Sequence, residues 1–232
     1  MPFYDREDKI LNALSGEEEV STEALAKRLF VSAATLRRDL LKLEKKGLIV
    51  RKHGKVSIKR EQADTKIPFA MRVEERYEEK NAMAHKAVAF IKDGDTVMLD
   101  GSTSAYCVIP YLKELKNIIV ITSGAKASLL LGHLGITNIS SGGRMINGSF
   151  SYVGADALAM LSRYNADVAI FSCRGLSDDG VASDNSEEEN EIRRMMMKMS
   201  KKKILLCDRK KHGKVYLNNL CTRDEVDEII SE

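Results

Sequence analysis

Hydrophobic positions in the first sixty residues recur at helical spacing in three successive stretches. Ile10, Leu11 and Leu14 fall within 5–14, Leu25 and Leu29 within 21–30, and Leu36, Leu40 and Leu43 within 32–46; each set makes one face of a helix. Ser21 and Ser32 stand just before the second and third stretches, where a hydroxyl can accept from the orphan amides of a first turn, and Gly47 stands where the third should stop. The break around Val31 makes the last two a helix-turn-helix. The period then changes. Leu48-Ile49-Val50-Arg51 and Val56-Ser57-Ile58 read as short strands around the basic turn Lys52-His53-Gly54-Lys55, so a winged helix-turn-helix is predicted over 1–58.

Residues 59–72 are polar, contain Pro68 and lack periodicity, which marks a linker. Beyond it, 73–91 reads as one helix with Ala84, Ala87, Val88 and Ile91 inward. Apolar strand candidates at 96–99, 118–122, 136–140, 168–172 and 203–207 then alternate mostly with helical segments. Such alternation predicts an α/β fold, a doubly wound and largely parallel sheet over 73–232.

Composition removes several classes of function. No apolar run approaches the roughly 18 to 20 residues of a membrane helix, and the opening residues are too polar for a signal peptide, so a cytoplasmic protein is expected. Cys107, Cys173, Cys207 and Cys221 are far apart, without the close pairs of zinc sites or redox dithiols; they read as small buried hydrophobes, and neither metal nor cofactor is expected. The overall charge of +3 conceals an asymmetry: 27–60 holds twelve Lys or Arg against Asp39 and Glu44, a net +10, whereas 61–232 sums to −2. A local excess of that size is the footprint of a surface that neutralises phosphates.

With Leu36, Leu40 and Leu43 turned inward, the third helix presents Thr35, Arg38, Lys42 and Lys45 outward, with Arg37 at the edge. A guanidinium fork can bond a guanine edge in a major groove, while hydroxyl and ammonium groups hold phosphates. Expected DNA contacts are therefore Ser32, Thr35, Arg37, Arg38 and Lys42 on the helix, with Arg51, Lys52, His53 and Lys55 on the wing. In the larger domain the strand ends matter most, because ligands of open α/β sheets bind there. The first strand runs into Asp100-Gly101-Ser102-Thr103-Ser104, a plausible phosphate cradle; the second ends in Thr122-Ser123-Gly124; the third leads to Gly142-Gly143-Arg144. Three polar ends could converge on one anionic ligand. Arg174, at a fourth end, could pair with a phosphate or a carboxylate, or instead with the acidic run 187–191.

The stretch Phe30-Val31-Ser32-Ala33-Ala34-Thr35-Leu36-Arg37-Arg38-Asp39-Leu40, followed by Leu43-Glu44 and Gly47, resembles the signature of the DeoR family of bacterial regulators. The resemblance continues in Phe69 with Arg72, in Lys80, in Asp93-Gly94-Asp95, in Leu99-Asp100-Gly101-Ser102-Thr103, in Gly142-Gly143 and in Leu206-Cys207-Asp208-Arg209-Lys210-Lys211. It departs at Lys55, where the family's wing usually has a second glycine, at Ser123, where an asparagine is usual, and at Arg174, in a segment more basic than usual. The resemblance implies a homo-oligomeric DNA-binding regulator, most often a repressor, governed by a phosphorylated sugar or related metabolite. It also implies that 100–104 lie near the ligand with a lysine after Asp208, aligned best with Lys211 but replaceable by Lys210.

The sensor domain of that family resembles ribose-5-phosphate isomerase, so the rival from another class is a sugar-phosphate isomerase with a DNA-binding appendage. The isomerase run Asp-Gly-Ala-Asp-Glu has as its counterpart Phe171-Ser172-Cys173-Arg174-Gly175, which lacks the carboxylates that proton transfer needs. A third reading, a protein-interaction module with a DNA-binding arm, leaves the polar strand ends unexplained.

Overall fold

The computed structural model describes residues 3–15, 19–45, 48–52, 54–58 and 69–232. The predicted stop at Gly47, the wing residue His53 and the 59–68 part of the linker lie outside them. The chain divides into two compact units, Met1–Glu75 and Arg76–Glu232.

In the first unit, α1 (Phe3–Ser15), α2 (Thr22–Arg28) and α3 (Ala33–Lys45) follow the three apolar stretches. Ile10, Leu11, Leu14, Leu25, Leu36, Leu40 and Leu43 form one buried cluster with Val20, Ile49 and Val56. Each such side chain contributes about 1.5–3 kcal/mol when fully buried. Both predicted caps form: Ser21 Oγ accepts from Ala24 N at 3.1 Å and Ser32 Oγ from Thr35 N at 3.2 Å. Helix α2 ends earlier than expected, at Arg28, and Phe30 turns the chain with φ 52° and its ring almost fully exposed. The wing is β2 (Ile49–Lys52) paired antiparallel with β3 (Lys55–Ile58). A third strand not foreseen, β1 (Val20–Ser21), pairs with the other edge of β3. Two residues are too few to leave a period in the sequence.

Residues 69–72, expected in the linker, are helical: α4 (Phe69–Glu74) belongs to the first unit and packs Met71 on its core. The single helix expected over 73–91 is interrupted. Helix α5 (Tyr77–Val88) starts only after Arg76, whose φ of 58° ends the preceding helical run. The Arg76 guanidinium is held by Asp208 at 2.7 Å and by Glu79, side-chain contacts that offset the cost, of order 1–2 kcal/mol, of a left-handed residue.

The second unit is built on a six-stranded sheet in the order β14-β12-β9-β4-β5-β6. Its members are β4 (Thr96–Leu99), β5 (Ile119–Thr122), β6 (Asn138–Ser140), β9 (Ala166–Ser172), β12 (Ser200–Leu206) and β14 (Glu228–Ile230), and every neighbouring pair is parallel. The chain begins in the middle at β4, moves out through α6 (Thr103–Tyr106), α7 (Ile109–Leu112) and α8 (Ala125–His133), then crosses to β9 and returns the other way. Right-handed crossovers running in opposite directions put their helices on opposite faces, which makes the sheet doubly wound. On one face Met98, Ile121, Ala169, Phe171 and Leu205 pack with Leu161 of α9 (Ala155–Leu161) and with Ile192 and Met196 of α10 (Glu187–Lys198).

Besides β14, two additions to the sheet escaped the sequence pattern. A hairpin of β7 (Arg144–Ile146) and β8 (Ser151–Val153) follows β6. An antiparallel sheet of β10 (Gly175–Leu176), β11 (Val181–Asp184) and β13 (Asn218–Thr222) follows β9. No helix among the described residues is long and apolar enough to cross a membrane.

Candidate functional sites

On α3 the inward stripe includes Asp39, which is buried because Arg6 of α1 reaches it at 2.8 Å. This pair fixes the rotation of α3 and leaves Arg37 and Arg38 exposed, with no acidic partner among the described residues. Lys42 is exposed on the same helix. Thr35 is half-buried, its hydroxyl 2.9 Å from Ser32 Oγ, so both residues serve the helix cap as well as any external contact. On the wing, Arg51 is drawn to Glu44 at 3.6 Å and Lys55 to Glu19 at 3.1 Å, while Lys52 is exposed. The α3 arginines thus carry uncompensated charge and two of the wing cations do not.

The ligand residues expected at the first strand end lie where the sheet reverses direction, at the ends of β4 and β9. Asp100, the residue after β4, is buried there. Its Oδ1 accepts from Ser102 N (3.1 Å) and Oγ (2.6 Å), and its Oδ2 from Ser172 N (3.3 Å) and Arg193 Nε (2.9 Å). A carboxylate offers about four acceptor positions, and all are taken. Asp100 therefore shapes the loop and ties it to β9 and α10. Ser102 Oγ also accepts from Ala105 N at 3.1 Å, and Thr103 and Ser104 are buried in α6. Gly101 allows a close approach: a Cβ there would meet Ser151 Oγ at 2.1 Å.

Arg193 is the centre of this network and was not foreseen. It is buried, with Nη1 on Asp184 at 2.8 Å and on Asn190 at 3.0 Å. Burial alone would lower its pKa, but Asp184 and Asp100 raise it beyond the usual arginine range. Burial likewise pushes Asp184 up, and the neighbouring Arg193 overcomes this and holds the carboxyl below its usual value. A sequence signal existed: Asn190, Arg193, Met196 and Met197 share the buried face of α10, and an arginine on an apolar stripe needs carboxylates to meet it.

Other expected residues divide into those brought together and those sent elsewhere. The β5 end joins the β4 end: Thr122 Oγ1 accepts from Gly124 N at 3.0 Å, Ser123 is buried, and a Cβ on Gly124 would lie 3.1 Å from Gly101 Cα. From the far side Lys211 Nζ reaches Ser172 Oγ at 2.8 Å, whereas Lys210 is exposed, so Lys211 is the lysine turned to the β9 end. The third end does not converge. Gly142 and Gly143 form the turn into β7, where φ of 97° and a gap of 2.7 Å from a would-be Cβ to Val153 O require glycine at 143. Arg144 is exposed and pairs with Glu188. Arg174 meets Asp184 at 3.5 Å and lies over the Tyr216 ring.

All four cysteines are buried, and Cys173 and Cys207 follow paired strand residues, Ser172 and Leu206. The Cys207 side chain, with Lys211 and Arg193, lowers the Cys173 pKa despite burial; burial pushes Cys221 up to about 12. A groove of 530 Å³ runs along α8 between Leu129, His133, Ser140 and Tyr152, beside the crevice, and contains none of the expected ligand residues.

The two units match two family models, a DeoR-like helix-turn-helix domain over residues 6–62 and a DeoR C terminal sensor domain over 75–232. Among similar proteins, the L-fucose operon activator of Escherichia coli (strain K12) is 32% identical over 98% of this chain and 94% of its own. The HTH-type transcriptional repressor GlcR of Bacillus subtilis (strain 168) is 29% identical over 96% and 86%. The fold is shared with eIF2B delta from Chaetomium thermophilum, at a TM-score of 0.52 and 17% identity over 68% of this chain and 56% of that one. With both units matched and relatives aligned end to end, the chain belongs to the DeoR family of DNA-binding transcription regulators.

Proposed function

We propose that this regulator binds operator DNA through α3 and the wing as a cytoplasmic homo-oligomer and acts as a repressor. A phosphorylated sugar or similar metabolite, held at the strand ends of the second unit, would modulate its binding. The observation that carries the DNA part is the pair Arg37 and Arg38, exposed on a helix locked by Arg6 and Asp39. Arg38 reads a base edge and Arg37 and Thr35 orient the helix, while Lys42, Arg51, Lys52, His53 and Lys55 hold phosphates. Two copies on repeated or palindromic half-sites supply the specificity that one small reader lacks.

Support for the effector part comes from the polar crevice between β4 and β9, with Lys211 at its rim and with Asp100 and Asp184 both paired with Arg193. The ligand switches the protein only through different affinities for its DNA-competent and DNA-incompetent states. Mobility shifts with DNA upstream of the protein's own operon, repeated with a panel of sugar phosphates, test both parts. The expected result is retardation that one phosphate relieves; unaltered mobility under every phosphate would remove the effector assignment.

A further inference from the structure

The hairpin β7–β8 lays Ser151 across the ends of β4 and β5. Ser151 bridges to Gly124, and its Oγ fills the space that a Cβ on Gly101 would need. The residue is 3% exposed, yet Oγ has no hydrogen-bond partner among the described residues. A buried hydroxyl without a partner costs stability, so its retention calls for a group that it meets in another state.

Beside this hydroxyl begins α8, nine residues long, with Gly124 at its cap and no acidic residue in its first turn. First-turn amides have no acceptors within their own helix. Here Thr122 Oγ1 takes the Gly124 amide and Phe150 O takes that of Ala125 at 2.9 Å, and the Ala127 amide is left for an external acceptor. The Lys126 ammonium, 4.9 Å over the Phe150 ring, adds positive charge to the same turn. Buried hydroxyl, helix N-terminus and ammonium together suit an oxyanion.

We propose that Ser151 and the first turn of α8 form a second oxyanion subsite, so that the effector carries an oxyanion at each end, as a sugar bisphosphate or a phosphorylated sugar acid does. This rests on the proposal that the strand ends hold an anionic effector, whose first oxyanion lies near Lys211 at the end of β9. Strands β9 and β5 are two steps apart across β4, about 10 Å at the usual strand spacing. One phosphate cannot span that distance, and the two ends of a sugar chain can. Ser151 donates to the distal oxyanion.

The test is titration calorimetry on the full chain with a hexose 6-phosphate, the matching 1,6-bisphosphate and the matching 6-phospho sugar acid. The wild type is expected to bind a two-ended ligand at least tenfold more tightly than the monophosphate; which of the two wins identifies the distal group. Ser151→Ala should erase that preference while the ligand-free melting temperature stays the same or rises, since an unpartnered hydroxyl has been removed. Equal affinity for one-ended and two-ended ligands in the wild type would overturn the second subsite and leave the anionic effector standing. So would a Ser151→Ala protein that keeps the preference and melts lower. Failure of all three to bind, or binding indifferent to Lys211→Met, would overturn both proposals together.

Discussion

Arg38 and Arg193 both sit on amphipathic helices, yet Arg38 stands in solvent with no acidic partner among the described residues and Arg193 is buried between Asp100 and Asp184. In the first unit the uncompensated charge is on the outside, where a polyanion can collect it. In the second Asp100 and Asp184 are spent on Arg193, and Lys211, which reaches Ser172, also faces Asp208 at 3.5 Å. The contrast separates a surface with a net positive field from a crevice whose charges compensate one another.

The largest expected effect attacks the second half of that contrast. Arg193→Met leaves Asp100 and Asp184 buried without their cation and should cost about 3–5 kcal/mol in urea unfolding of the second unit. A loss below about 1 kcal/mol, the value of an exposed pair, would mean that the network is solvated and the contrast false. Arg38→Ala tests the first half: it should weaken operator binding by about 1–3 kcal/mol and relax sequence preference, with folding stability unaffected. Operator affinity equal to that of the wild type in quantitative footprinting would refute the base contact.

Acid should expose the same difference. Because Asp184 has a folded pKa below its unfolded one, it contributes stability that is fully present above about pH 4 and is lost as pH falls through the folded value. Melting temperature should therefore drop below pH 4 in the wild type, and part of that acid dependence should be missing in Arg193→Met. Identical acid profiles would uncouple the two residues. The smallest effect belongs to the wing: Lys55 already faces Glu19, so Lys55→Ala should weaken all DNA sequences alike and reduce the salt slope by about one or less. Filter binding at several salt concentrations measures it, and a change in sequence preference would assign Lys55 a base contact instead.

Much of the reader was legible from one contiguous stretch, because a helix advertises its inner face by local period and its start by a nearby serine. Leu36, Leu40, Leu43, Ser32 and Arg38 needed no partner to be placed. Two details were not local. Asp39 looked like one more surface charge until Arg6, thirty-three residues away, met it, and β1 was too short to show.

The sensor divides in the same way. Five of the six parallel strands were evident as apolar runs, and Lys211 came from family resemblance alone. Arg144 looked like a ligand group because it follows a polar strand end, but the Gly142-Gly143 turn carries it away to Glu188. Asp100 looked like a ligand contact, and four hydrogen bonds consume it. Ser151 carried no signal, since a serine in a loop is commonplace until a hairpin presses it against Gly101.

By itself the sequence determined the order of the two units, the inner and outer faces of α3 and the parallel α/β class, because all of these follow from period and local chemistry, and the family by its resemblance. The tertiary structure alone decided which charges cancel, which strand ends meet and which hydroxyl is left without a partner. Those depend on residues such as Asp100 and Arg193, ninety-three positions apart in the chain and 2.9 Å apart in space. Electrostatics and hydrogen bonding act over a few ångströms, and only folding sets distances on that scale.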